Sequence, residues 1–236
     1  KKLNSIAIPP LGSGNGGLNW EIVKTMIEDK MSHLSIDVFI YEPNSQIKEK
    51  LKEERVQLTD ARAMLLFMLY KLVANGEFVS EFSSEKICYF LQRFGAKEHF
   101  KLDYKPNFYG PYSGKVKYVI NYLNGSYIMG YSSMDKKPFE TLDLVSDGFE
   151  KVEGYILSKP ELVEIVNRTE LFLDGFYSEF ALELLSTVDY ISLNKDTFDL
   201  EIIKSELEGW SERKRTLFSN DRFLNISINH LRKHFG

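Results

Sequence analysis

Apolar positions fall into two regimes along the chain. Before position 45 they come as short runs around a glycine-rich turn; after position 59 they recur at helical spacing. Ile6 to Pro9 is a short apolar run that predicts a buried strand. Asn19 predicts a helix N-cap, with Glu21 in the first turn, and Ile22, Val23, Met26 and Ile27 repeat at helical spacing to about Lys30. "IDVFIYEP", Ile36 to Pro43, is a β-branched, apolar strand stopped by proline. Strand, glycine loop, helix, strand is the order of a parallel βαβ unit. A parallel sheet needs helices over both faces, so residues 1–45 read as the end of a larger α/β domain.

"NSQIKEKLKEERVQL" is charged, lacks an apolar stripe and reads as a linker over 46–58. Thr59 or Asp60 then caps "ARAMLLFMLYKLVANG", which is apolar nearly all round, as a central core helix would be, and stops at Asn75-Gly76. Ser83 or Ser84 is expected to start a second helix, "SEKICYFLQRFG", ending at Gly95. Tyr104 to Gly114 reads as a turn-rich loop, and "KVKYVINYLNG" as a third helix. "SYIMGYSSM" and "TLDLV" can pair as a small hairpin. Two helices are expected to meet near Asp174-Gly175, the first opened by Pro160 at its N1 position. Helices at Asp199–Trp210 and Asp221–Phe235 close the chain. The expected fold class is α+β: a βαβ segment over 1–45, then a mainly α-helical, winged-helix-like domain over 59–236 with a small β-hairpin.

Composition narrows this picture. The 236 residues are 43% hydrophobic, enough for a substantial core. No apolar run reaches the ~20 residues of a membrane span, so no membrane partner is expected. The N-terminal stretch lacks the apolar region of a signal peptide. The single cysteine, Cys88, excludes an internal disulfide and points to the cytoplasm. Between Ile87 and Tyr89 it reads as a buried structural thiol. Charge is uneven: residues 156–210 carry 4 basic and 12 acidic side chains, and 211–236 carry 6 and 2. Internal neutralisation is the favoured reading of the basic tail; contact with DNA is the alternative. His230 and His234 stand four apart with no third ligand in view. They read as exposed helix-end histidines, and no metal site is expected.

The loop Gly12-Ser13-Gly14-Asn15-Gly16-Gly17, followed by Leu18, allows two readings. Backbone N–H groups before a helix N-terminus can cradle a pyrophosphate, or the loop is a tight strand-to-helix turn. In its wider context, "IAIPPLGSGNGGLNWEIVKTMIEDKM…IDVFIYEP" resembles the last β–loop–α–β segment of a macrodomain, most closely that of DarG-type antitoxins. "RVQLTDARAMLLFMLY" and "YKPNFYGPYSGKVKYVINYLNG" look like the toxin-binding domain that follows in that family. The resemblance implies that Gly12, Ser13, Gly14, Asn15, Gly16, Gly17 and Leu18 contact ADP-ribose. It implies a DarT-type toxin as partner, an enzyme that ADP-ribosylates thymidine in single-stranded DNA with NAD as donor. The family's macrodomain reverses that modification. ADP-ribose or ADP-ribosylated DNA is therefore expected as a ligand only if the macrodomain is complete. The upstream lysine used by the family is not in this sequence. Asn15 or Gly16 stands where a related hydrolase branch has aspartate. The expectation is that this polypeptide holds no catalytic residue, needs no cofactor and does not hydrolyse ADP-ribosyl-DNA alone.

Two surfaces are candidates for the toxin. Tyr104, Phe108, Tyr109, Pro111 and Tyr112, followed by Lys115 and Lys117, can anchor an interface, stack bases, or pin a loop to the core. The acidic block interleaves carboxylates with Phe172, Phe176, Tyr177 and Phe180, a pattern that can occupy a cationic nucleic-acid cleft. Tyr109, Tyr112, Glu170, Asp174, Glu179 and Glu183 are the expected toxin contacts. Hydrolysis of ADP-ribosyl-DNA by the macrodomain and a winged-helix DNA-binding regulator are the alternatives.

Overall fold

Strand, turn and helix follow one another at the start of the chain as the apolar pattern requires. The computed structural model describes residues 4–13, 18–42, 55–131 and 137–236. They divide into two units, Lys1–Val56 with Val145–Asp147, and Gln57–Leu144 with Gly148–Gly236. In the first, β1 (Ser5–Ile8) runs parallel to β2 (Asp37–Ile40), in register from Ser5 opposite Asp37 to Ile8 opposite Ile40. Between them lies α1 (Trp20–Met31), whose cap is the expected one: Asn19 Oδ1 accepts the Glu21 N–H at 3.0 Å. Ile8 and Ile27 are buried, while Leu11, Leu18, Ile22, Met26 and Phe39 are all more than half exposed.

The second unit is built around α2 (Asp60–Ala74), capped by Thr59 and buried from Ala63 through Leu69. The next helix, α3 (Glu81–Leu91), starts earlier than the sequence suggests. Ser80 is the cap: its Oγ accepts the Ser83 N–H at 3.1 Å, and Ser83 Oγ accepts the Ser80 N–H at 2.9 Å. Ser83 thus completes a capping box from inside the helix instead of opening it. The chain does not stop at Gly95 but passes through a π-helical turn, Gln92–Ala96, into α4 (Lys97–Phe100). The expected loop after it holds an antiparallel hairpin, β3 (Lys105–Asn107) with β4 (Gly110–Tyr112).

Helix α5 (Val116–Leu123) follows, and then the anticipated second hairpin, shortened to β5 (Ile128–Met129) against β6 (Asp143–Leu144). Helix α6 (Phe149–Leu157) was not expected. Pro160 opens α7 (Pro160–Leu173), and Ser178 caps α8 (Glu179–Lys195). Asp199 caps α9 (Leu200–Trp210), Ser211 caps the short unexpected α10 (Glu212–Leu217), and Asn220 caps α11 (Asp221–Phe235). The α+β class holds, with helices dominant. No helix among the described residues is long and apolar enough to cross a membrane.

Helices α3, α7 and α11 meet at Phe172. Its ring is fully buried, with ring centroids of Phe90, Phe94 and Phe235 at 5.1, 5.0 and 5.4 Å. His230 packs on the same ring at 4.6 Å, and its Nε2 lies 2.8 Å from the Phe172 carbonyl oxygen. The contact fits an Nε2–H donor satisfying one of the carbonyls that the end of α7 leaves without an intrahelical partner. The histidines are therefore partly buried packing groups, not exposed helix-end residues. Cys88 is fully buried and burial pushes its thiol up, as a structural role requires. Truncating Phe172 to Ala should destabilise the protein by about 3–5 kcal/mol in urea unfolding, because three helices lose a common contact.

Candidate functional site

Helix α3 buries every one of its side chains, including Glu81, Glu85 and Lys86. Charges in such a place must be compensated. Part of the compensation comes from α8 and α10. Glu183 of α8 is 2% exposed, and its carboxylate accepts from both terminal guanidinium nitrogens, Nη1 and Nη2, of Arg213 and, at 2.5 Å, from Lys214 Nζ. Lys214 is itself fully buried and also reaches Thr187 Oγ1 at 3.1 Å. Burial alone would push the Glu183 carboxyl up; hydrogen bonding and charge from Arg213 and Lys214 hold it below the usual carboxylate range. Lys86 Nζ donates to the Pro111 carbonyl at 2.7 Å and so ties α3 to β4. Burial and the nearby charge of Lys214 lower Lys86 to about 7. Glu85 accepts the N–H groups of Ser113 and Gly114 at 3.3 and 3.1 Å, yet burial still raises it to about 7.

The β3–β4 hairpin lies over these charges. Gly110 has φ +93, and a Cβ there would stand 2.6 Å from Thr187 Oγ1 and 3.3 Å from Lys86 Nζ, so only glycine fits. At the hairpin tip Tyr109 is half-buried, edge-on to Phe139 and Phe108 at 4.8 Å each, with the Arg213 guanidinium 4.9 Å from its ring centre. Tyr112 donates to Glu81 Oε1 at 3.3 Å, and Tyr131 donates to Glu81 Oε2 at 2.7 Å. Tyr109, Tyr112, Phe82, Phe108, Glu81 and Pro138 are among the residues enclosing a cavity of about 260 Å³. The aromatic loop is thus pinned to the core, while Phe108 stays 53% exposed at its tip.

A second feature lies where α7 turns into α8. Glu170, Asp174 and Tyr177 share a hollow of about 480 Å³ with Asn75, Asn167 and Leu171. Glu170 is paired with Lys71 at 2.9 Å, and Asp174 is exposed. Glu179, exposed at the start of α8, is pushed up by partial burial and by the charges of Glu77 and Glu183. Leu171 is 70% exposed and Phe78, next to Glu77, 69%. Two of the four expected carboxylates, Glu170 and Asp174, therefore share one hollow, and Glu179 is exposed at the start of the next helix. Glu183 differs: its position on α8 turns it inward to Lys214, which corrects the expectation of a surface carboxylate. Phe172 and Tyr177 are also buried rather than interleaved on the surface. Sequence reading missed Glu81, Glu85, Lys86 and Lys214 as a buried set. A run of charges in an otherwise apolar helix was the available signal.

In the first unit, the described part of the glycine-rich loop is a turn. Gly12 has φ +66, Leu18 N–H donates to the Gly12 carbonyl at 2.9 Å, and Ser13 Oγ donates to the Leu11 carbonyl at 3.4 Å. Gly14, Asn15, Gly16 and Gly17 lie outside the described residues. Among the described residues, no group of three His, Cys, Asp or Glu side chains is placed to hold a metal ion.

Comparison with known proteins gives relatives of one kind. A protein of Thermus aquaticus named DNA ADP-ribosyl glycohydrolase is 32% identical over 219 residues, covering 91% of this chain and 60% of its own length. Proteins of the same name from Mycobacterium bovis and Mycobacterium tuberculosis are each 24% identical over 233 residues, covering 92% of this chain and 66% of theirs. This chain thus spans about two thirds or less of the length of these relatives. No family model matches it.

The buried charges predict two outcomes. Lys214→Met leaves Glu183 under-compensated and should cost about 3–5 kcal/mol, and the double variant Lys214→Met/Glu183→Gln should lose less than the sum of the single variants in urea unfolding. Glu85 has a raised carboxyl, so its burial penalty is absent below about pH 4.5, its unfolded value, and complete above about pH 7. Glu85→Gln should therefore gain stability relative to the parent chain as pH rises through that window, by up to about 3 kcal/mol. A flat difference between the two unfolding curves would contradict it.

Proposed function

We propose that the helical unit is the toxin-binding part of a DNA ADP-ribosyl glycohydrolase of DarG type, and that it silences a DarT-type DNA ADP-ribosyltransferase. The observation that carries this reading is the acidic corner, where Glu170 and Asp174 line one hollow with the exposed Leu171 and the exposed Glu179 follows at the start of α8. A cleft that grips single-stranded DNA is cationic and lined with stacking platforms. A surface of carboxylates and exposed apolar groups is complementary to it in both respects. The comparisons add support: a match over 91% of the chain must take in the helical unit as well as the short first unit. The half-buried Tyr109 and Tyr112 support the hairpin from within, and in this reading Phe108 at its tip is the side chain offered outward.

Removal of ADP-ribose from DNA is a second reading. It draws on the relatives' name and on the parallel β1–turn–α1–β2 arrangement that carries Gly12, Ser13 and Leu18. Release of ADP-ribose from a modified thymidine oligonucleotide by the purified chain would favour that reading.

Co-expression with a DarT-type toxin tests the first. The parent chain should restore growth. Asp174→Lys/Glu179→Lys should fail to do so and should bind purified toxin at least about 100-fold more weakly at low salt. Growth rescue and affinity unchanged by this charge reversal would refute the acidic corner as the binding surface.

A further inference from the structure

Helix α5 separates its side chains into two faces. Val116, Ile120 and Leu123 are fully buried, whereas Tyr118 is 57% and Tyr122 44% exposed, and Asn121 is exposed with them. Residues four apart on a helix are surface neighbours, so the two rings belong to one strip. Cations frame it. The guanidinium of Arg62, from the first turn of α2, lies over the Tyr122 ring, 3.6 Å from its centre, and Lys117 Nζ stands 5.4 Å from the centre of the Tyr118 ring. Lys115, one turn before Tyr118, is exposed.

Carboxylates do little to cancel these charges. Among the described residues Arg62 and Lys117 form no ion pair; Arg62 Nη1 donates to the Gln57 carbonyl at 3.1 Å. Lys115 meets Asp103 only at 3.9 Å, with both side chains exposed, and such a pair is weak. Asp60, beside Arg62 in the first turn of α2, is engaged by Lys159 at 2.5 Å and Tyr155 at 2.8 Å. Exposed rings beside uncompensated cations are what single-stranded nucleic acid requires: bases stack on the rings, and phosphates lie against the charges. A protein surface seated here would have to pair or desolvate three cations. We propose that this face of α5 binds a short single-stranded DNA segment, with one base stacked on Tyr118 and phosphates against Arg62, Lys115 and Lys117. DNA is the strand that both functional readings involve. The face itself is independent of the toxin-binding reading, and either can fail without the other.

The test follows the fluorescence anisotropy of a labelled oligothymidine of about 15 nucleotides, titrated with the full chain. The chain should bind, and log K should fall against log salt with a slope of about −2, from three phosphate contacts at about 0.7 each. Tyr118→Ala should bind about tenfold more weakly and Tyr118→Phe like the parent, because the ring face makes the contact. Lys117→Gln should weaken binding and flatten the slope by about 0.7. All three side chains replaced at this surface should leave the thermal midpoint close to the parent's. No binding, or binding unaffected by Tyr118→Ala, overturns the proposal. Equal losses with Tyr118→Phe and Tyr118→Ala overturn stacking, and tighter binding of a duplex or of oligouridine overturns the choice of strand. Parent-like DNA binding with weakened toxin binding in Tyr118→Ala assigns the face to a protein partner and overturns it as well.

Discussion

Glu183 is the charge on which the helical unit turns. A carboxylate at 2% exposure is tolerated only because Arg213 and Lys214 reach it from α10, and Lys214 is buried in turn. Those contacts fix α10 against α8. Lys86 from α3 fixes β4 through Pro111, and Gly110 leaves the room this requires. Arg213 also lies over the rings of Phe108 and Tyr109, so the same guanidinium that neutralises the core holds the hairpin tip. One turn further along α3, Tyr89, together with Arg93 of the π-helical turn that follows, clasps Asp189 of α8 at 2.7 and 2.8 Å, a second buried carboxylate of α8 compensated from another element. Buried ion pairs of this kind need not add net stability. What they impose here is register: a slip of α3 or α8 by one residue would leave charges without partners.

That constraint accounts for the way the acidic block is divided. Glu183 and Asp189 belong to the interior and carry their own cations. Asp174 and Glu179 precede them along the chain and remain at the surface. A stretch that reads as one run of negative charge is thus two populations with different tasks, the first maintaining the architecture and the second available to a partner. The corner is held rigidly, since α7 ends on the buried Phe172 and Leu173 and α8 begins on a Ser178 cap. A preorganised patch loses less conformational entropy on binding than a mobile one.

Much of the architecture was legible because it rests on local chemistry. The caps at Asn19 and Thr59, the proline at N1 of α7 and the all-round apolarity of α2 each specify their element without distant partners. The errors have equally physical causes. Ser80 and Ser83 form a reciprocal box, and a sequence holding three nearby serines cannot say which is the cap. Helices α6 and α10 carry many charges, and α10 exists largely to deliver Arg213 and Lys214 to a partner 30 residues earlier in the chain. The inward turn of Glu183 follows from how α8 rolls against α3, which no local spacing encodes. Tyr177 read as a surface aromatic for the same reason.

Hydrogen–deuterium exchange of the chain with and without a DarT-type toxin tests the central claim most directly, because it maps the contact without altering any residue. Protection on complex formation should concentrate in the segment from Asn167 to Glu179 and around Glu77 and Phe78. Protection confined to the glycine-rich turn and α1, or spread evenly over the helical unit, would contradict the account.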